Sequence, residues 1–259
     1  MIKMYKYLPL IIILLSSFSS FAEDSSNDAS EEEMKPQIGS IEDSGRVDPD
    51  VFEFSNTENK LWMDKHLLNI DQPARLHYEF EKTGSYEDGF VDDVYLDIVK
   101  INEDNTRNTL LDFFSSEKKQ KVAPSNVMNI TGNPVIGIYL QGDVYEMNRL
   151  TDGHWKYFLR EIKLAMADSN ESESIAIEFN GEHYQGEKII LNPFNNAKNK
   201  ERLKEFSDKR YEFILSDTIP GKLYQIKTVI NDAENPDIPL MEEILTLKSI
   251  EYSDKVVGK

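Results

Sequence analysis

Apolar and polar positions along this chain predict strands on both sides of one helical segment. In residues 74–82, Leu76, Tyr78 and Phe80 alternate with polar side chains, which is the two-residue period of a half-buried strand. The same criterion predicts further strands at residues 90–101, 108–114, 175–179, 182–191, 210–216, 222–230 and 240–252. We therefore expect about eight or nine strands, most of them in antiparallel pairs joined by turns.

Turn and loop signals separate these strands. The Asn-Gly pair at residues 180–181 predicts a hairpin, because both positions of such a turn need positive φ. The Pro-Gly pair at residues 220–221 predicts a type II turn. Within residues 240–252 the apolar positions change phase, which predicts a β-bulge. Residues 115–126 are typical of a loop, and residues 198–208 predict a short charged helix.

Residues 133–168 form the only long segment with helical periodicity. Asn133 stands where an N-cap belongs and Pro134 at the first helical position, which is a start signal because proline lacks only an amide that would have no partner there. The pattern restarts at Thr151 and Asp152. A connection this short predicts an antiparallel helical pair.

Together these elements predict an α+β fold. We expect a curved, mostly antiparallel sheet of about 8–9 strands, with a central helical hairpin packed on one face and one short additional helix. Because no linker rich in proline, glycine or serine divides residues 51–259, they are predicted to form a single domain.

The first fifty residues have a different composition. In residues 1–22 two lysines precede an apolar run and then small residues ending at Ala22, the layout of a cleavable signal peptide. Residues 23–50 are rich in acids and poor in large apolar side chains, so a disordered acidic arm is expected. The chain has no cysteine, and after the leader no apolar run is long enough to span a membrane. These features predict a periplasmic protein.

Charge and motif content exclude several classes of function. A formal net charge of -18 argues against binding to nucleic acid or to an anionic membrane surface, which both require basic residues. No Gly-x-Ser-x-Gly motif and no cysteine nucleophile is present. The four histidines are scattered without a metal-ligand spacing: His66, His77, His154 and His183. With no glycine-rich phosphate loop either, we expect no metal and no cofactor.

Asp143 is the most informative position. The apolar stripe of the first predicted helix consists of Ile136, Leu140, Val144, Met147 and Leu150. Asp143 falls inside this stripe, beside Tyr139, where an unpaired carboxylate would be costly. Two interpretations remain open. Asp143 either forms a structural pair with Arg75, Arg160 or a strand tyrosine, or serves as a ligand-binding or catalytic acid.

Two glycines in the same helix also need a reason. Glycine inside a helix costs roughly 1 kcal/mol relative to alanine, so Gly137 and Gly142 predict a close approach to the backbone. Either another element of the fold or a bound ligand would satisfy this.

The second predicted helix has apolar side chains on two sides. Its main stripe consists of Trp155, Phe158, Leu159, Ile162 and Met166. Tyr157 and Leu164 lie nearly opposite, and Arg160 lies on a basic edge between the two sides. Both sides are ordinary core, or one of them faces a cavity. The candidate ligand-binding residues are therefore Tyr139, Asp143, Met147, Trp155, Tyr157, Arg160 and Leu164.

Three stretches carry a resemblance to a known family. Residues 132–163, with LHYEFEKTGSYEDGF earlier and KRYEFILSDTIPG later, resemble a functionally uncharacterised exported protein family of Gram-negative bacteria. A leader followed by an antiparallel sheet with helices is also similar in outline to the LolA/LolB-like half-barrels. That second resemblance implies a sheet whose concave face shelters lipid chains.

The leading hypothesis is a non-catalytic periplasmic binding or carrier protein that holds an apolar, lipid-like ligand between the sheet and the helical hairpin. The first alternative is an envelope interaction or scaffold protein with a protein partner, using residues 23–50 and an exposed sheet edge. The second is an acid/base enzyme using Asp143 and Glu146, with His154 nearby in sequence.

Overall fold

The computed structural model describes residues 53–115, 124–195, 203–232 and 238–253. The predicted signal peptide and the predicted acidic arm, on which the scaffold alternative rests, lie outside the described residues. Residues 116–123 of the predicted loop and residues 198–202 of the predicted short helix lie outside them too.

In the part of the chain that the structure describes, nine strands form a single open sheet in which every neighbouring pair is antiparallel. The strands are β1 Ala74–Thr83, β2 Phe90–Ile101, β3 Arg107–Phe113, β4 Ser125–Ile130, β5 Glu173–Phe179, β6 Glu182–Leu191, β7 Arg210–Leu215, β8 Leu223–Asn231 and β9 Pro239–Tyr252. Their spatial order is β4-β3-β2-β1-β9-β8-β7-β6-β5. The pairing of β1 with β9 therefore joins the strands before the helices to those after them.

The predicted α+β class and the number of strands are confirmed, with one local correction. Strand β4 was not expected, and its first two residues fall in the predicted loop. Val127 is its only buried side chain, so the strand has no alternating apolar pattern. Its backbone pairing with β3, and not its own side chains, defines β4.

Two long helices, α1 Pro134–Leu150 and α2 Trp155–Ala167, form the predicted hairpin. The side chain of Asn133 accepts a hydrogen bond from the amide of Val135, which confirms the predicted N-cap. Helix α2 begins later than predicted, because its N-cap is His154 and not Thr151 or Asp152. Shorter helical turns lie at Asn56–Glu58, Asn59–Met63, His66–Asn69 and Lys204–Asp208, the last being the predicted short helix.

The two faces of the sheet differ in character. On β1, Leu76, Tyr78 and Phe80 point into a core that also contains the buried side chains of α1 and α2. Two of the alternate residues of β1 form ion pairs on the other face, Arg75 with Asp97 at 2.6 Å and Glu79 with Lys248 at 2.8 Å. Helices thus pack on one face only, as the alternation predicts. Among the described residues, no helix is both long and apolar enough to cross a membrane.

The turn and bulge predictions are also confirmed. Asn180 and Gly181 have φ of 53° and 77°, as a tight hairpin turn between β5 and β6 requires. Gly221 has φ of 76° between β7 and β8. In β9, pairing with β1 skips Lys248, and pairing with β8 skips Leu240. Pairing is regular across Ile244 and Leu245, where the apolar phase changes, so the predicted irregularity is present in this strand but at other positions. Bulges of this kind bend a sheet.

Candidate functional site

A cavity of about 670 Å³ lies between helix α1 and strands β1, β2, β3 and β9. Its lining divides into two groups of side chains. We call the first the aromatic wall, consisting of Phe80, Phe90, Phe113 and Phe114. We call the second the charged wall, consisting of Lys82, Glu87, Glu146, Arg149 and Glu243. Part of the lining therefore suits an apolar group and part of it a polar one.

The aromatic wall is a set of interlocking rings. The ring of Phe114 lies 4.9 Å from that of Phe80, 5.6 Å from that of Phe90 and 4.8 Å from that of Phe113, each at a steep angle. Edge-to-face contacts at these centroid distances are the favoured arrangement of aromatic pairs. The rings consequently support one another while still facing the cavity.

An unusual backbone conformation places two consecutive phenylalanines in this wall. Successive side chains of a strand point to opposite faces, so Phe113 and Phe114 would normally diverge. Strand β3 ends at Phe113, and Phe114 has φ of 61°, in the left-handed region that a bulky residue rarely adopts. Such a conformation costs of the order of 1–3 kcal/mol and is concentrated at functional sites. The fold thus accepts backbone strain that keeps a second ring in the wall.

Lys82 is the centre of the charged wall. It is only 5% exposed, and its ammonium lies 2.5 Å from Glu146, 3.2 Å from Glu87 and 3.6 Å from Glu243. Burial disfavours the charged form, but the neighbouring carboxylates, above all Glu146, outweigh it and raise the pKa of Lys82. Lys82 therefore stays charged and holds carboxylates from three different elements together.

Arg149 extends the charged wall toward solvent. Its guanidinium donates two hydrogen bonds of 2.7 Å to the two oxygens of Glu87 and lies 3.3 Å from Glu146. This bidentate geometry is the strongest form of an arginine–carboxylate pair. Each basic side chain that lines the cavity is thus already bound by carboxylates of the same wall.

Asp143 sits deeper than the charged wall, in a fully buried pair with Lys209. Lys209 donates a short hydrogen bond to one carboxylate oxygen, and the hydroxyl of Tyr211 donates to the other at 2.6 Å. Burial alone would lower the pKa of Lys209, but Asp143, Glu243 and Glu146 together raise it. The expectation that a strand tyrosine would pair with Asp143 is confirmed. The expectation of Arg75 or Arg160 is wrong, because these pair with other, surface carboxylates.

Glu243 is a buried acid whose carboxyl group shares a hydrogen bond with Glu146. It is 5% exposed and also lies 3.3 Å from the Thr228 hydroxyl and 3.6 Å from the Lys82 ammonium. Burial raises its pKa to about 8 against the opposing charge of Lys209, and the charge of Glu146 raises it further. Glu243 is therefore mostly protonated at neutral pH.

Glu146 behaves in the opposite way. Burial would raise its pKa, but a hydrogen bond from Glu243 and the charges of Lys209 and Lys82 lower it instead. One carboxyl of this pair thus carries a proton while its neighbour is ionised. Both carboxyl groups are buried, and the different charged groups around each of them cause the two pKa values to differ.

Gly142 lies at the mouth of the cavity, which is marked by the exposed residues Asp88, Gly142 and Arg149. A Cβ atom at Gly142 would meet nothing within 4 Å, whereas one at Gly137 would meet the ring of Trp62 at 3.8 Å. The distance at Gly137 is an ordinary van der Waals contact that an alanine would also make, and nothing approaches Gly142, so neither glycine is required by a close approach. The absence of a side chain at Gly142 leaves the mouth open.

The structure brings two of the seven predicted site residues to this cavity, Tyr139 and Asp143. Met147 is fully buried in the core of the protein. The other four belong to α2, which does not line the cavity: Trp155, Tyr157, Arg160 and Leu164. Arg160 pairs with Glu161, and Leu164 is 50% exposed. Helix α2 thus supports α1 and leaves the cavity to α1 and the sheet.

Sequence reasoning did not identify Lys82, Arg149, Glu87 or Glu243 as residues of this site. For Lys82 and Glu243 the sequence contains a signal. Lys82 follows Leu76, Tyr78 and Phe80 at the inward positions of β1, and Glu243 lies between inward Met241 and Leu245 on β9. A charged residue in the apolar phase of a strand must find a buried partner.

Glu146 does converge on the cavity with Asp143, which the acid/base alternative requires. His154 does not, since it caps α2 through a hydrogen bond from the amide of Lys156. In the part of the chain that the structure describes, no group of three or more candidate side chains is arranged to hold a metal ion.

No family model and no curated protein matches this chain. Among solved structures, it is similar to a LolA superfamily protein from Nitrosomonas europaea, at 8% identity and a TM-score of 0.22 over 79% of this chain and 98% of that one. It is also similar to a DUF1329 family protein from Desulfovibrio piger, at 7% identity and a TM-score of 0.28 over 79% and 95%. At such scores neither likeness bears on ligand or activity, and membership of an exported family stays a prediction.

Proposed function

We propose that this protein binds a small amphipathic molecule, with the apolar part against the aromatic wall and the polar part against the charged wall. The observation that carries the proposal is the cavity itself, open at Gly142 and lined by the four phenylalanines of the aromatic wall and by the five side chains of the charged wall. A volume of about 670 Å³ lies within the usual range for small-molecule sites. The predicted signal peptide would place this binding in the periplasm.

The predicted apolar ligand is kept, but its position differs. It lies between α1 and the half of the sheet around β1, β2, β3 and β9, and not between both helices and the sheet. Burial of apolar surface against the four rings would supply most of the affinity. The polar groups of the charged wall would orient the molecule.

Binding is favoured over acid/base catalysis by the state of Asp143. Both of its carboxylate oxygens are engaged, one by Lys209 and one by Tyr211. A catalytic acid or base needs a free position at which a substrate proton can be exchanged. Asp143 therefore serves to hold α1 against β7, and the enzyme alternative loses one of its two carboxylates.

Fluorescence titration with N-phenyl-1-naphthylamine, a neutral apolar fluorophore, tests the proposal. We expect saturable enhancement with the full chain and affinity about tenfold weaker in Gly142→Trp, whose indole would fill the mouth. The matched control is Ala167→Trp, an equally bulky change at an exposed position of α2. Circular dichroism establishes that both variants fold. Equal affinity in the wild type and Gly142→Trp would contradict the proposal.

A further inference from the structure

The charge of the cavity indicates which polar group it accepts, an inference that rests on the proposed function. Five acids line the cavity: Glu87, Asp88, Asp143, Glu146 and Glu243. Among the described residues only two bases do so, Lys82 and Arg149, and Lys209 adds a third positive charge behind Asp143. Acids therefore exceed bases even when Lys209 is included.

An anionic ligand does not fit this arrangement. To reach Lys82 it would have to displace Glu146 at 2.5 Å and Glu87 at 3.2 Å. To reach Arg149 it would have to break two hydrogen bonds of 2.7 Å to Glu87. The displaced carboxylates would then be left without partners beside a further negative charge, which is unfavourable at a partly buried site.

A cationic group fits without displacing any carboxylate from Lys82 or Arg149. Glu243 lines the cavity with a carboxyl group that contacts Thr228, lies 3.6 Å from Lys82 and shares a hydrogen bond with Glu146, so a cation can replace the proton between the two carboxyl groups. The charged groups that face it are Lys82 from β1, Asp143 and Glu146 from α1, and Lys209 ahead of β7. These four groups are two acids and two bases, so their charges balance. An ionised Glu243 would add a carboxylate that has no matching positive charge among them.

Aromatic rings supply the second half of a cation site. Tyr139 and Tyr145 line the cavity together with the four phenylalanines of the aromatic wall. Ring faces attract organic cations, and the attraction is larger where water is excluded. Carboxylates beside several rings are the usual means by which proteins recognise alkylated ammonium groups.

We propose that the cavity binds an organic cation that carries an apolar substituent, such as an alkylammonium or quaternary ammonium compound, with its charged group beside Glu243 and its apolar group on the aromatic wall. Binding breaks the O–H bond of Glu243 and with it the hydrogen bond to Glu146, the proton passes to solvent, and the ligand takes the proton's place as the positive charge beside the two carboxylates. No covalent bond to the ligand forms.

Competition against bound N-phenyl-1-naphthylamine tests this with three ligands of equal chain length: decyltrimethylammonium, decanol and decanoate, each below its micelle concentration. We expect the cation to displace the probe at concentrations about tenfold lower than the other two. Because the quaternary cation does not titrate, its affinity should rise about tenfold between pH 7 and pH 9, as Glu243 with its pKa of about 8 ionises.

The variant Glu243→Gln separates the causes, since its amide keeps the shape but cannot ionise. We expect the variant to lose both the preference for the cation and the rise with pH, while its affinity for decanol changes by less than about twofold. Glu178→Gln, at an exposed position of β5, is the matched control. Circular dichroism and thermal unfolding confirm that both variants are folded.

The outcomes distinguish this inference from the proposed function. If decanol or decanoate displaces the probe as well as the cation does, or if Glu243→Gln retains the preference, the inference about charge is overturned while probe binding still supports the cavity. If none of the three competes but the probe remains sensitive to Gly142→Trp, the ligand class is again wrong. If the probe itself is insensitive to Gly142→Trp, both proposals fail.

Discussion

Replacing Lys209 with methionine should destabilise the protein severely, because it leaves the Asp143 carboxylate buried without its cation. The Lys209 side chain has no exposed surface and that of Asp143 has 1%. After the change, Asp143 keeps only the hydrogen bond from Tyr211. Removing one partner of a buried ion pair typically costs about 3–5 kcal/mol. Domains of this kind have a total stability of about 5–15 kcal/mol.

Urea unfolding followed by the fluorescence of Trp62 and Trp155 measures the effect. With a denaturant slope of about 2 kcal/mol per molar, the midpoint should fall by about 2 M.

Two controls make the experiment decisive. The double variant Asp143→Asn with Lys209→Met should recover most of the loss, since a neutral amide still accepts the hydrogen bond from Tyr211. Lys188→Met removes an exposed pair with Glu173 and should cost less than about 1 kcal/mol. If Lys209→Met costs no more than Lys188→Met, the argument for a buried charge at Asp143 is refuted.

Three further predictions follow from other positions. Gly142→Ala should raise the free energy of unfolding by about 1 kcal/mol in urea, since the helix gains an alanine and the new methyl group meets nothing within 4 Å; a decrease would contradict this. Burial lowers the pKa of His66, whose ring must stay neutral to accept a hydrogen bond from the Asn133 amide. The resulting stability is fully present above the unfolded pKa of 6.5 and should be lost as the pH falls through the lower pKa of the folded protein. Urea unfolding between pH 7 and 5 should show this loss in the wild type and not in His66→Gln. Tyr157→Phe should be neutral or stabilising by up to about 1 kcal/mol in the same assay, because among the described residues its buried hydroxyl has no hydrogen-bond partner, and a clear loss of stability would reveal one.

Local patterns in the sequence determined much of this fold. The alternation in residues 74–82, the N-cap at Asn133 and the Asn-Gly turn at residues 180–181 each act over a few residues, and each is present in the structure as predicted. The position of Asp143 within an apolar stripe likewise indicated a buried pair. Such features follow from backbone sterics and from the period of each element, which do not depend on distant parts of the chain.

Tertiary structure decided the strand order and the site. The pairing of β1 with β9 brings Lys82 beside Glu243, which is 161 positions later in the sequence, and α1 then places Glu146 next to both. Nothing local selects among the strands that could accept β1 as a neighbour. The cavity arises only when these elements are assembled, because its aromatic and charged walls come from segments that meet in space and not in sequence.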